Sequence, residues 1–178
     1  MNSKFKYLII LLLSVLLLFG CSVDDILDIV VNESDEPTHL EATPLEALNE
    51  TENFKSHALE HILEGELNRN GQAVGFHYAQ LETKKGEIIH NTETKPNENG
   101  VYEAKVRVND VNKTSNNGKS TFFPDDWDSQ DVVDAINIAY ENRTHINGNT
   151  FEGLTEEGII IRMYLDQQDK IISAFPVY

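Results

Sequence analysis

The sequence predicts an α+β domain, with N-terminal helices packed on antiparallel sheets, and three stretches carry that prediction. Between Val101 and Asn109, Tyr102, Ala104, Val106 and Val108 alternate with Glu103, Lys105 and Arg107, the period-two pattern of a half-buried antiparallel strand. Between Asp128 and Tyr140, Val132, Ile136, Ala139 and Tyr140 fall on one helical stripe behind a capping aspartate,. The chain closes with Gly158 to Leu165, a turn through Asp166-Gln167-Gln168-Asp169, and Lys170 to Phe175, which together read as a hairpin. Helical segments and strands that do not alternate as βαβ units give α+β rather than α/β.

Taken in order, the chain opens with Lys4 and Lys6 followed by a nearly unbroken apolar run from Tyr7 to Phe19. That run is short for a bilayer span and has the form of a secretory signal. Leu18-Phe19-Gly20-Cys21 resembles a bacterial lipobox, which implies a signal peptide over residues 1–20, cleavage before Cys21 and a lipid on its sulfur. An ordinary secreted protein with a stray cysteine is the alternative. Cys21 is the sole cysteine, so one copy holds no disulfide framework,. The expected location is therefore outside the cell, lipid-anchored to the outer face of a bacterial membrane. Residues 21–44 read as an acidic flexible tether, and residues 45–178 as a single domain,.

Charge bears on partners. Residues 1–20 contain two of the 14 Lys and Arg and none of the 30 Asp and Glu, so the remainder is more acidic than the whole chain's −16. Such a balance disfavours a generic nucleic-acid binder, which carries a basic footprint. The acid is concentrated upstream, however. From Ser22 to Glu66 the only Lys or Arg is Lys55, whereas the later chain is far more evenly mixed.

Within the domain, Thr43-Pro44-Leu45-Glu46 has the form of a capping box with proline at the first helical position,. A helix restarting near Glu52 or Asn53 would carry Phe54, Leu59, Ile62 and Leu63 inward and stop at Gly65,. His61 then lies near its C-terminal end. Gln72 to Gln80 reads as a strand interrupted at Gly75, with His77 just beyond,. Glu87 to His90 is a short strand, and Asp110 to Gly118 a loop. Lys119 to Phe123 is extended and ended by Pro124.

Two histidines and a lysine stand out chemically. Imidazoles near neutral pKa both give and take protons, and an ammonium answers charge developing on a phosphoryl oxygen. Read alone, His61 is a polar helix residue, His77 a strand residue facing water and Lys119 a strand end, with Lys105 its rival. The motifs Glu60-His61-Ile62, Gly65, Gly75-Phe76-His77, Gly118-Lys119-Ser120-Thr121-Phe122-Phe123-Pro124-Asp125-Asp126-Trp127 and Ser173-Ala174-Phe175-Pro176 together resemble the bacterial EndoU nucleases. The uridylate-specific endoribonuclease of coronaviruses is a more distant relative with the same order of elements. The similarity runs from about Leu45 to Tyr178.

The resemblance implies cleavage of single-stranded RNA 3′ of uridine, by attack of the 2′-hydroxyl on the adjacent phosphate, leaving a 2′,3′-cyclic phosphate. It makes His77 the general base, His61 the general acid and Lys119 the electrostatic stabiliser, although the two histidine roles are interchangeable on sequence grounds. Ser173 matches the position that reads the uracil edge, and Thr121 faces the same cleft. Phe175 departs from the tyrosine common among relatives and offers a stacking face without a hydroxyl. No cofactor is required by this chemistry, and Mn2+ stimulation is compatible with it. Single-stranded RNA, the membrane and a cognate immunity protein are the expected partners, and RNA scavenging and a toxin role both fit.

Two other readings stand beside it. His57-Ala58-Leu59-Glu60-His61 fits an inverted zincin pattern, which would make the protein a zinc metallopeptidase sensitive to chelators. A catalytically silent surface module that binds another protein is the third.

Overall fold

The computed structural model describes residues 42–82 and 85–178. The segment expected to be a signal peptide, Cys21 with its expected lipid and cleavage site, and the expected tether up to residue 41 lie outside the described residues. Among the described residues no helix is long and apolar enough to cross a membrane.

The architecture is α+β. A 3-10 turn, Leu45–Ala47, leads to helix α1, Ala58–Leu63, and a two-stranded ribbon of β1, Glu66–Leu67, with β2, Ala73–Val74. Next come β3 (Gly86–Ile88), β4 (Tyr102–Val108), β5 (Val111–Asn112), a second 3-10 turn (Ser115–Gly118) and β6 (Lys119–Phe122). Strand β4 is the spine of this first sheet. It pairs antiparallel with β3 on one edge, and with β5 and then β6, opposite Tyr102 to Lys105, elsewhere along its length. Helix α2, Ser129–Glu141, precedes four more strands: β7 (Thr144–Asn147), β8 (Thr150–Leu154), β9 (Ile160–Leu165) and β10 (Ile171–Pro176). These form an antiparallel sheet in the order β10-β9-β8-β7.

The alternation read in β4 holds, with Tyr102, Ala104, Val106 and Val108 buried. They pack with Phe76 and Phe122 into a small core, where the Phe122 ring stacks on Tyr102 and meets Phe76 edge-on. A larger core joins Ile62 and Leu63 of α1 to Val132, Val133 and Ile136 of α2 and to Ile161, Met163, Ile171 and Ala174 of the second sheet. Helix α2 lies so close to β8 that a Cβ on Gly153 would stand 1.8 Å from the Ala139 carbonyl oxygen. Only glycine permits that approach.

The helix at Asp128 is built as the sequence indicates, with one addition. The Asp128 carboxylate accepts from Ser129 N–H, and Asp131 closes the capping box on the Asp128 N–H at 2.8 Å. It also takes the Thr43 N–H and hydroxyl, both at 2.7 Å. Burial raises this carboxyl, but the hydrogen bonds from Thr43 and Ser129 outweigh it and hold the pKa below the ordinary value. Its contribution is therefore present above the ordinary carboxylate range and is lost as pH falls through the lowered value. Asp128→Ala is expected to cost about 1 to 2 kcal/mol, measured by urea unfolding at pH 7.

The N-terminal helices need correction. Thr43 caps no helix, because its hydroxyl is given to Asp128, and only the 3-10 turn Leu45–Ala47 follows. Nor does a helix restart at Glu52 or Asn53. Lys55 N–H donates to the Ile171 carbonyl and Ile171 N–H to the Asn53 carbonyl, both at 2.9 Å, so Phe54 lies extended beside β10. Helix α1 begins only at Ala58, behind His57 at φ 68°, and ends before Gly65 as expected. Gln72 to Gln80 is likewise no continuous strand. The ladder stops at Val74, because the N–H groups of Phe76 and His77 go to α1 carbonyls instead. The hairpin of β7 and β8 was not anticipated.

Candidate active site

The backbone joins the two histidines directly. Phe76 N–H donates to the His61 carbonyl at 3.0 Å, and His77 N–H to the Ile62 carbonyl at 2.7 Å. These carbonyls belong to the last turn of α1, where helical partners run out. Gly75, at φ +72°, makes the approach feasible, since a Cβ there would lie 2.0 Å from the His61 carbonyl oxygen. Residues sixteen apart in sequence thereby open into one cleft of about 720 Å³.

His77 is 6% exposed. Its Nδ1 lies 2.8 Å from the Thr121 carbonyl oxygen, and because a carbonyl only accepts, Nδ1 carries the proton and Nε2 is the free basic nitrogen of the neutral ring. Burial, reinforced by the nearby Lys113 charge, depresses the His77 pKa well below the ordinary imidazole value, against the raising effect of the Thr121 carbonyl. The ring is neutral at physiological pH. Phe175 stacks on it with centroids 5.1 Å apart and planes at 17°.

His61 has a different setting. Its Nδ1 stands 3.0 Å from a Glu66 carboxylate oxygen, and its Nε2 is 3.1 Å from the Ser173 hydroxyl. A carboxylate also only accepts, so here too Nδ1 carries hydrogen, while Nε2 is the nitrogen turned to Ser173. Glu66 places a negative charge behind the ring and fixes its orientation. Ser173 comes from β10 just after a register shift between Ile171 and Ser173 in its pairing with β9.

Lys119 lines the same cleft, its Nζ 2.9 Å from the Glu103 carboxylate of the neighbouring strand. Lys105, the rival lysine, is exposed on β4 and does not line it. Thr121 contributes through its carbonyl, and its buried hydroxyl has no hydrogen-bond partner among the described residues. Thus His61, His77, Lys119, Thr121, Ser173 and Phe175 all share one cleft.

Three further residues there escaped the sequence reading: Glu66 behind His61, Lys113 beside Gly75, and Arg162 on β9. The cationic lining is Lys113, Lys119 and Arg162, with one carboxylate, Glu66, in the cleft itself; Lys119 is ion-paired with Glu103 and Arg162 with Glu152. In a chain of net charge −16 the cleft gathers three cations, of which Lys113 has no carboxylate partner among the described residues and so is suited to an anionic ligand,. Lys113 was hidden within a segment read only as a loop. Glu66 had a signal, an acid one residue past the helix-stopping glycine and five past His61.

A family model described as bacterial EndoU nuclease matches residues 55–178. The chain belongs to that family. It is also 49% identical over 146 residues to a protein of Bacillus cereus named "Toxin", an alignment covering 82% of this chain and 27% of that protein. The chain thus spans little more than a quarter of that relative's length. No solved structure matches. The inverted zincin reading gains nothing from the geometry of this EndoU member. His57 precedes α1 with its ring on Glu60, Glu60 also binds Lys85, and His61 faces Glu66 and Ser173. Among the described residues no three His, Cys, Asp or Glu side chains converge as a metal site.

Proposed function

We propose that this EndoU member is an endoribonuclease that cleaves single-stranded RNA 3′ of uridine by 2′-hydroxyl transesterification. The observation that carries the reading is the unequal pair of imidazoles in one cleft that Lys113, Lys119 and Arg162 also line. His77, neutral and with Nδ1–H engaged on Thr121, has a free Nε2 to accept the proton of the 2′-hydroxyl. The resulting 2′-oxygen attacks phosphorus, the bond to the 5′-oxygen breaks, and His61 delivers a proton to that leaving oxygen from Nε2. The departing strand ends in a 5′-hydroxyl, and the retained one in a 2′,3′-cyclic phosphate. His61 is suited to the acid role because Glu66 faces its other nitrogen at 3.0 Å and balances the imidazolium before transfer. The Lys119 ammonium stabilises the charge that grows on the non-bridging oxygens.

Ser173 and Phe175 supply the base subsite. The Ser173 hydroxyl that meets His61 at 3.1 Å turns to the uracil edge when RNA binds, and Phe175, already ring-stacked on His77, provides a planar surface next to the proton-abstracting imidazole. Thr121 holds His77 through its carbonyl. These steps need no cofactor, and Mn2+ acts at most as a stimulant.

The name of the Bacillus cereus relative supports a toxin role, with a cognate immunity protein as partner. With the lipobox at Cys21 the protein acts from the outer face of a bacterial membrane. The decisive assay is to incubate the full chain in EDTA with an RNA oligonucleotide holding a single uridine. Cutting at that uridine supports the reading. In a parallel assay on casein, hydrolysis that EDTA removes and zinc restores, with the RNA left intact, supports the peptidase pattern, and no cutting of either substrate supports a silent binding module.

A further inference from the structure

The cleft holds two lysines in different electrical circumstances. Lys119 is ion-paired with Glu103. Lys113, which follows β5, reaches the cleft with its Nζ donating to the Ser120 hydroxyl at 2.8 Å and to the Gly75 carbonyl at 3.3 Å. Both partners are neutral. Among the described residues no carboxylate pairs with Lys113. An ammonium has three N–H donors, and these contacts use two.

Burial alone pulls the Lys113 amine down to a pKa of about 8, the mark of a cation withdrawn from water without a counter-ion. Such a group is costly to keep. A strut between Gly75 and Ser120 does not account for it, because the Ser120 hydroxyl already donates to the Gly75 carbonyl at 3.0 Å. A structural link would need no charge there. The amine instead sits beside the machinery on both sides, because its partner Gly75 lies two residues before His77 and its partner Ser120 directly precedes Thr121, whose carbonyl fixes His77.

We propose that Lys113 is a second phosphate-binding catalytic residue, whose remaining N–H donates to a non-bridging oxygen of the scissile phosphodiester. The phosphate is the counter-ion that the folded chain lacks. Lys119, shared with Glu103, then contributes the weaker part of the positive field. The inference rests on the ribonuclease reading above and deepens it by naming which cation meets the substrate.

The test compares the full-length wild type with Lys113→Met, Lys113→Arg and Lys119→Met. Binding is read by fluorescence anisotropy on an oligonucleotide whose single uridine is replaced by 2′-deoxyuridine, and turnover on the all-RNA version. Lys113→Met is expected to weaken binding about tenfold or more and to lower kcat/KM on the order of 100-fold. The salt dependence of binding should also fall by roughly 0.7 in log–log slope, one phosphate contact on a single strand. Lys113→Arg should recover most of the binding. A purely structural lysine would lower thermal stability and leave the salt slope unchanged. A folded Lys113→Met protein with wild-type slope and affinity within about threefold of wild type would overturn the proposal.

Should Lys113→Met fail to fold, the wild type is made with 13C-labelled lysine, which leaves the ammonium unmodified, and the Lys113 Cε signal is assigned from Lys113→Arg. Inorganic phosphate must then shift that signal and raise its titration midpoint, and an unmoved signal overturns the proposal. Failure of the underlying reading looks different, because the wild type itself would then leave the all-RNA oligonucleotide intact.

Discussion

Replacing His77 with alanine is expected to lower cleavage of a uridine-containing RNA on the order of 10³-fold, the usual worth of a positioned general base. His77→Gln should fall as far, and because glutamine keeps polar volume in a site that is 6% exposed, it separates lost chemistry from lost packing. The pH profile gives a second handle. His77 is held well below the ordinary imidazole value, chiefly by burial and then by Lys113, so the acidic limb of kcat/KM should lie below the ordinary histidine range. Stability carries the same signature. Between the ordinary and the lowered pKa the unfolded chain takes up a proton that native His77 refuses, so stability falls as pH drops through that window. His77→Gln should remove this part of the slope in urea unfolding followed against pH.

Gly75→Ala should do comparable damage by another route. The residue sits at φ +72°, and its Cβ would stand 2.0 Å from the His61 carbonyl oxygen and 2.9 Å from its carbon. Both obstacles are backbone, which has no rotamer to yield. A left-handed alanine and a forced separation of α1 from the Gly75-Phe76-His77 turn together cost roughly 3 to 5 kcal/mol. The hydrogen bonds from Phe76 N–H and His77 N–H to α1 should break, and the imidazoles part. Whatever folded Gly75→Ala protein is recovered should have lost activity beyond its loss of thermal stability, measured by calorimetry beside single-turnover cleavage. Gly71→Ala is the control, since nothing lies within 4 Å of its Cβ.

The parts legible in the sequence are those decided by near neighbours. Strand β4 declares itself because one sheet face is core and the other is wet, and α2 because Asp128 and the stripe behind it lie within a few turns. The terminal hairpin is bounded by its own turn. The segment from Thr43 to Leu63 misleads because distant partners decide it. Thr43 spends its hydroxyl on Asp128, 85 residues away, and Asn53 and Lys55 spend their backbone groups on Ile171. A capping signal does not disclose such competition. The β7–β8 hairpin did offer a signal, Asn147-Gly148, a favoured dipeptide for tight hairpin turns. Its flanks are weak, because β7 is exposed throughout.

The site divides along the same line. Residue types and motif order were enough to bring His61, His77, Lys119 and Ser173 into one expectation, and the fold places them around one cleft. What the letters could not give was pairing. That Thr121 would serve through its carbonyl, that Ser173 would meet His61, and that Glu103 would occupy Lys119 all depend on register between strands far apart in the chain. Lys113 illustrates this best, being one lysine in a polar loop until the sheet brings Gly75 and Ser120 together around its amine.

The central claim is that two unequal imidazoles drive attack by the ribose 2′-hydroxyl. It is tested most directly by mass spectrometry of the products from an RNA with one uridine, alongside the same oligomer carrying 2′-deoxyuridine there. The account predicts a 2′,3′-cyclic phosphate on the uridine and a 5′-hydroxyl on the downstream fragment, with the deoxy oligomer bound but uncut. Cleavage at deoxyuridine, or fragments bearing a 3′-hydroxyl and a 5′-phosphate, would contradict it.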